Sequence, residues 1–102
     1  MAAITILIIG AGDRGTAYAS YAGCRSDLVS IAEVADSRPY YRDRVAALYG
    51  VPASRVFADW REALAGPGMA DAVVIATSVR EHAASAIAAA ERGYHVLFED
   101  TA

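Results

Sequence analysis

A nearly continuous β-branched run, Ile4-Thr5-Ile6-Leu7-Ile8-Ile9, leads straight into Gly10-Ala11-Gly12-Asp13-Arg14-Gly15. This junction constrains the fold more than any other feature of the chain. An apolar run without polar alternation fits a strand buried on both faces, as a parallel sheet requires. The glycines follow the pattern G-x-G-x-x-G. The first can make a tight turn, the second lets a backbone approach a pyrophosphate, and the third lets a helix pack close against the strand. The pattern is weak in isolation but specific when a strand precedes it and a helix follows. The Ala- and Tyr-rich stretch from Asp13 to about Cys24 supplies that helix.

The remaining sequence repeats the alternation. Residues 28–35 read as a second strand ending at Asp36, and Pro39 suits the first turn of a helix over 40–49 that Gly50 closes. Val56-Phe57 is a short third strand. Asp59-Trp60-Arg61-Glu62 has capping-box spacing and opens a short helix to about Leu64, before Gly66-Pro67-Gly68. Residues 72–76 form a fourth strand. Ser78-Val79-Arg80-Glu81 is a second capping box, at the start of a long helix ending at Gly93, and residues 96–98 close the pattern. Strands alternating with helices give a three-layer α/β domain of Rossmann type, with right-handed crossovers and a parallel sheet in the order 3-2-1-4-5. The 102 residues make one domain.

Asp36 stands at the end of the second strand, 21 positions after Gly15, where an acid can accept hydrogen bonds from the adenosine ribose hydroxyls of a dinucleotide. A carboxylate there favours NAD, because it repels a 2′-phosphate. Ser37 and Arg38 follow, and an arginine at that point can pair with such a phosphate, which keeps NADP open. Read plainly instead, Arg38 is a solvated residue at a helix start. Arg14, inside the glycine loop, can touch the pyrophosphate beside the backbone N–H groups.

The net charge of −3 and pI near 5.2 argue against nucleic-acid or anionic-membrane partners. The N-terminus has no basic region and glycines cut its apolar run, so it is neither a signal peptide nor a membrane span. Cys24 is the single cysteine, consistent with a reducing cytoplasm and an inert thiol. No Ser-His-Asp order, metal-ligand cluster or G-x-x-x-x-G-K-[ST] loop appears. All nine basic residues are arginine; the chain contains no lysine.

Four segments, ILIIGAGDRG, VSIAEVAD, ADAVVIAT followed by His82, and ERGYHVLFED, resemble the glucose–fructose oxidoreductase / inositol dehydrogenase (Gfo/Idh/MocA) family. The likeness covers essentially the whole chain but only that family's N-terminal nucleotide-binding domain; nothing here corresponds to the second, substrate-binding domain. The resemblance implies a cofactor site of Gly10, Gly12, Asp13, Arg14, Gly15, Asp36, Ser37, Arg38, Ala76, Thr77, Ser78, His82 and Glu99. It places the family's A-T-P-N-x-x-H motif on Ala76 to His82, with Ser78 and Val79 in place of the proline and the polar residue. The E-K-P motif falls on Glu99, Asp100 and Thr101, so Asp100 occupies the position of the lysine that aids proton transfer. An acid there is an acceptor at neutral pH and cannot take that role.

These residues predict an NAD-binding domain of an oxidoreductase acting on a sugar or cyclitol hydroxyl, with the 102-residue chain alone binding cofactor without turnover. A non-catalytic dinucleotide sensor is the alternative, and a piece of a longer enzyme a third reading. Trp60 reads as a packing anchor, His95 as structural, and the tyrosines as packing edges. Self-association through apolar surface near the fifth strand stays open.

Overall fold

A computed structural model of the chain describes residues 4–25, 27–66, 70–77 and 79–98; the side chains of residues 13, 14, 22, 23, 79–82 and 98 fall outside that description. The elements in chain order are β1 (Ile4–Ile9), α1 (Asp13–Cys24), β2 (Val29–Ala35), α2 (Pro39–Tyr49), β3 (Val56–Phe57), α3 (Trp60–Ala65), β4 (Ala72–Ile75), α4 (Val79–Glu91) and β5 (His95–Phe98), with a 3-10 turn, Ala53–Arg55, before β3. All neighbouring strands are parallel and the order is β3-β2-β1-β4-β5. The expected α/β sheet is therefore the observed one. Strand ends differ from the sequence reading by a residue: β2 starts at Val29, β4 stops at Ile75, and β5 begins at His95, which lies within the strand rather than before it.

β1 shows why its sequence forms a central strand. Ile6 and Ile8 pack into one core with Ala19 of α1, Val34 of β2 and Val45 of α2. Leu7 and Ile9 pack into the other with Trp60, Ala63 and Leu64 of α3 and Ala89 of α4. Successive side chains point to opposite faces, so only a run that is apolar at every position satisfies both layers. Pro39 sits at the start of α2, and Gly50 closes the helix in the left-handed conformation. Asp59 caps α3 by accepting from the Arg61 N–H at 2.8 Å.

The sequence did not announce an irregularity in β2. Ile6 is paired with Ile31, but Leu7 is paired with Glu33, so β2 carries one extra residue there. A one-residue insertion reverses the facing of everything beyond it. It sends Glu33 and Ala35 toward the α3/α4 layer, and it sets the parity with which the strand delivers Asp36.

Glu33 consequently sits at 3% exposure inside the sheet, with Oε1 lacking a hydrogen-bond partner among the described residues. Burial raises its pKa above the ordinary 4.5, and the charge of Arg55 offsets this only in part. A carboxyl whose folded pKa is raised holds its proton longer in the fold than in the unfolded chain. Its cost therefore grows as pH rises from 4.5 through the folded value and stays constant above it. Glu33→Gln is expected to melt higher than the parent at pH 7, by about 1 kcal/mol of stability, the order of one unpaired buried polar group. That gap should narrow at pH 4. Thermal melts showing a gap independent of pH would rule this out.

Candidate functional site

The C-terminal ends of β1, β2, β3 and β4 open into a cleft of about 350 Å³ lined by Gly10, Asp36, Ser37, Arg38, Asp59, Trp60, Arg61, Ala76 and Thr77 among others. Ligands of open parallel sheets bind in such a crevice, where the connections diverge to the two faces. The ladder stays tight to the rim. Gly10 N–H donates to the Ala35 carbonyl at 2.8 Å, Ala76 N–H to Ile9 at 2.8 Å, and Asp36 N–H to Phe57 at 3.1 Å.

Two glycines of the loop are structural necessities. Gly10 has φ +96°, and a Cβ on it would lie 2.7 Å from the Ala76 carbonyl oxygen. A Cβ on Gly15 would overlap the Gly10 carbonyl oxygen, so only glycine lets α1 start this close to β1. Gly12 differs, since a Cβ there meets only the tip of a side chain, Arg38 Nη2, at 3.0 Å. Thr16 fastens the first turn of α1. Its Oγ1 donates to the Ala11 carbonyl at 3.0 Å and accepts from Arg44 Nη2 at 2.9 Å. The leading N–H groups of α1 have no acceptor within the helix and carry its positive dipole end.

Asp36 is the buried acid of the cleft. Its Oδ2 accepts from the Ala11 N–H at 2.7 Å and from Arg38 Nη2 at 2.9 Å. Its Oδ1 accepts from the Arg38 N–H at 2.8 Å and from Arg38 Nε at 3.0 Å. Burial pushes the carboxyl pKa up, but these bonds and the Arg38 charge outweigh it, and the pKa is lowered below 3.8. Arg38 is thus no freely solvated helix-start residue: it is a bidentate partner of Asp36 and stacks 4.1 Å above the Tyr41 ring. Its side chain is nonetheless 55% exposed at the start of α2.

The structure brings Gly10, Asp36, Ser37, Arg38, Ala76 and Thr77 to one cleft, with Gly12 and Gly15 in the adjoining loop. Ser78, Glu99 and Asp100 lie outside the described residues, as do the side chains of Asp13, Arg14 and His82. Sequence reasoning missed one wall. Asp59, Trp60 and Arg61 face the cleft as well as capping and packing α3, and Arg61 lies 4.3 Å over the Trp60 ring. Capping-box spacing located the helix, and the parallel sheet order could have put its start beside Asp36. Two buried polar atoms on this rim, Thr77 Oγ1 and Trp60 Nε1, have no hydrogen-bond partner among the described residues. Among the described residues, no group of three His, Cys, Asp or Glu is placed to hold a metal ion.

A strand, a glycine turn and a helix thus stand beside a buried acid at the carboxyl end of the sheet. The profile of an oxidoreductase family, NAD-binding Rossmann fold (Gfo/Idh/MocA), matches residues 4–100. The chain belongs to the Gfo/Idh/MocA family. No curated protein sequence matches it. Among solved structures, it resembles the WlbA dehydrogenase from Bordetella pertussis, in complex with NADH and UDP-GlcNAcA, at 28% identity and TM-score 0.84, over 96% of this chain and 29% of that one. A probable dehydrogenase from Thermotoga maritima gives 27% identity and TM-score 0.82, over 95% and 28%. Scyllo-inositol dehydrogenase from Lactobacillus casei, with bound NAD(H) and scyllo-inositol, gives 24% and 0.85, over 96% and 28%, a likeness of fold. The chain spans less than a third of each of these proteins. It is a Gfo/Idh/MocA NAD-binding Rossmann domain, and no helix among the described residues is long and apolar enough to cross a membrane.

Proposed function

We propose that residues 1–102 form one dinucleotide-binding domain that holds NAD across the cleft described above, as the cofactor half of a dehydrogenase acting on a sugar or cyclitol hydroxyl. The observation that carries the reading is the 2.7 Å bond from the Ala11 N–H to Asp36 Oδ2, which locks the glycine loop to the acid. It puts the donors for a pyrophosphate and the acceptor for a ribose diol on one rigid rim. The loop from Gly10 to Gly15 cradles the pyrophosphate, Gly12 giving the close approach and Gly10 and Gly15 the turn and the helix packing, with Asp13 and Arg14 beside it. Asp36, Ser37 and Arg38 surround the adenosine ribose, and Ala76, Thr77, Ser78, His82 and Glu99 border the nicotinamide half. The unpartnered Thr77 Oγ1 supports this, since it leaves a buried hydroxyl for a ligand to satisfy.

NAD supplies the hydride chemistry; the chain's own residues bind, orient and exclude water. The substrate class rests on the family and on relatives with sugar and inositol ligands. A second reading, a non-catalytic dinucleotide sensor, is favoured by one observation. Asp100 stands where the family resemblance puts a lysine, and the 102 residues contain none. The exposed free thiol of Cys24 suits the reducing cytoplasm. Leu97, 47% exposed on β5, offers apolar surface for self-association or for a substrate domain.

Calorimetric titration of the purified chain with NAD tests the site. Saturable binding with one equivalent is expected, without oxidation of any added polyol. No binding at millimolar NAD would sink the reading, and polyol turnover would sink its non-catalytic part.

A further inference from the structure

The covalent structure of a nucleotide limits where its base can lie. With the ribose at Asp36, the base hangs from the same sugar by one glycosidic bond and must rest against the wall beside that acid. The Asp36 N–H donates to the Phe57 carbonyl at 3.1 Å, so the end of β3 and the start of α3 form that wall. Ala58, Asp59, Trp60 and Arg61 all line the cleft there.

This wall is built in layers. The Trp60 ring is buried and packs with Ile9, Ala35 and Leu64. The Arg61 guanidinium lies 4.3 Å over that ring, yet its side chain is 66% exposed. Asp59 steadies it: Arg61 Nη1 donates to Oδ1 at 3.3 Å and to Oδ2 at 3.5 Å, and the same carboxylate accepts from the Arg61 N–H as the cap of α3. A guanidinium is planar, delocalised and weakly hydrated, so with its inner side on an indole it offers its outer side to another flat π-system. The Asp59 carboxylate balances its charge. What the wall presents is therefore a plane more than a net charge.

We infer that Arg61, mounted on Trp60 and steadied by Asp59, is the platform on which a purine base stacks, and that the chain takes up adenine nucleotides lacking nicotinamide, ADP among them. The inference rests on the dinucleotide reading above. It adds the side chain that grips the base and a ligand class wider than the dinucleotide. ADP carries the purine, the ribose and the pyrophosphate, the three groups that Arg61, Asp36 and the glycine loop are placed to meet.

The test is a calorimetric titration of the full chain with ADP and with NAD, with tryptophan emission followed in parallel. Trp60 is the one tryptophan of the chain, so any change in emission reports on this wall. ADP is expected to bind saturably, to compete with NAD and to change the emission. Arg61→Met keeps an apolar stem over the indole but loses the plane. It should weaken ADP and NAD by the same factor, about tenfold, within the range for stacking one base. Arg61→Lys keeps the charge without the plane and should weaken both by more than about threefold. Retention by Arg61→Lys would mean a charge contact to phosphate, and it overturns the platform. So does Arg61→Met binding NAD within about threefold of the parent, and so does a parent that binds NAD but not ADP. If Arg61→Met fails to fold, the Arg61 Nε–H resonance of the parent decides. It should shift in the ring current of the base when ADP is added, and a stationary resonance overturns the inference. A parent that binds neither ligand refutes the cofactor site itself, an outcome distinct from NAD binding that ignores Arg61.

Discussion

Gly15→Ala is expected to cost the chain about 3 kcal/mol or more, the upper range of overpacking effects. For a domain of this size that lowers the melting temperature by at least about 12 °C. The added methyl would overlap the Gly10 carbonyl oxygen, and it would sit 2.9 Å from the Gly10 carbonyl carbon and 3.4 Å from Ile8 Cγ2. Its main obstacle is backbone, with no flexible tip to give way. Gly10 cannot retreat either, because its N–H is bonded to Ala35 and it abuts the Ala76 carbonyl. Relief has to come from moving α1 off β1, which opens the core around Ile8, Ala11 and Ala19. Gly12→Ala is the contrast. Its methyl meets only Arg38 Nη2, which is part of a half-exposed side chain. Its stability should stay within about 1 kcal/mol of the parent, while NAD affinity falls at least about tenfold as the methyl stands off the pyrophosphate. Circular-dichroism melts of both variants, with NAD titrations of Gly12→Ala, check the pair. Equal stability losses would mean that the two glycines do not have separate roles.

The split between those glycines marks how far the sequence could be read. The strands themselves, the turn at Gly10 and the position of Asp36 follow from local rules: β-branched runs, glycine spacing and an acid at a strand end. Each is decided within a few residues of chain. What escaped depends on contacts between distant segments. The extra residue in β2 is fixed by pairing with β1 and leaves no mark in VSIAEVA. The Trp60–Arg61 wall reaches the cleft only because β3 lies beside β2. Arg38 read either as a phosphate partner or as a solvated residue, and neither reading paired it with the acid two positions back. In the folded chain the two side chains meet. Polar networks are the least local feature of a fold and so the last to be legible.

Asp36→Asn is expected to reduce NAD affinity about 100-fold or more, equivalent to two charge-assisted hydrogen bonds at roughly tenfold each. The amide keeps the volume but changes the donor–acceptor pattern. One end can still accept from the Ala11 N–H or from Arg38, while the other presents an N–H₂ to a donor. The ion pair is lost in either orientation, and the N–H₂ end faces N–H donors that it cannot accept from. Stability should fall by about 2 kcal/mol, within the range for hydrogen bonds to a charged group. The pH dependence fixes the cause. Because the folded pKa of Asp36 is lowered, its contribution is present above the ordinary 3.8 and is lost as pH falls through that value toward the folded one. The melting gap between parent and Asp36→Asn should therefore be widest near neutral pH and close as the pH drops below 3.8, opposite in sign to the gap expected for Glu33→Gln. The two carboxylates would then shift stability with pH in opposite directions, each for its own reason. Glu33 is tolerated at a cost inside the sheet, and Asp36 is held charged at its end, where the cleft begins. An Asp36→Asn chain that binds NAD within about threefold of the parent would show that the acid supports the loop without meeting the ribose.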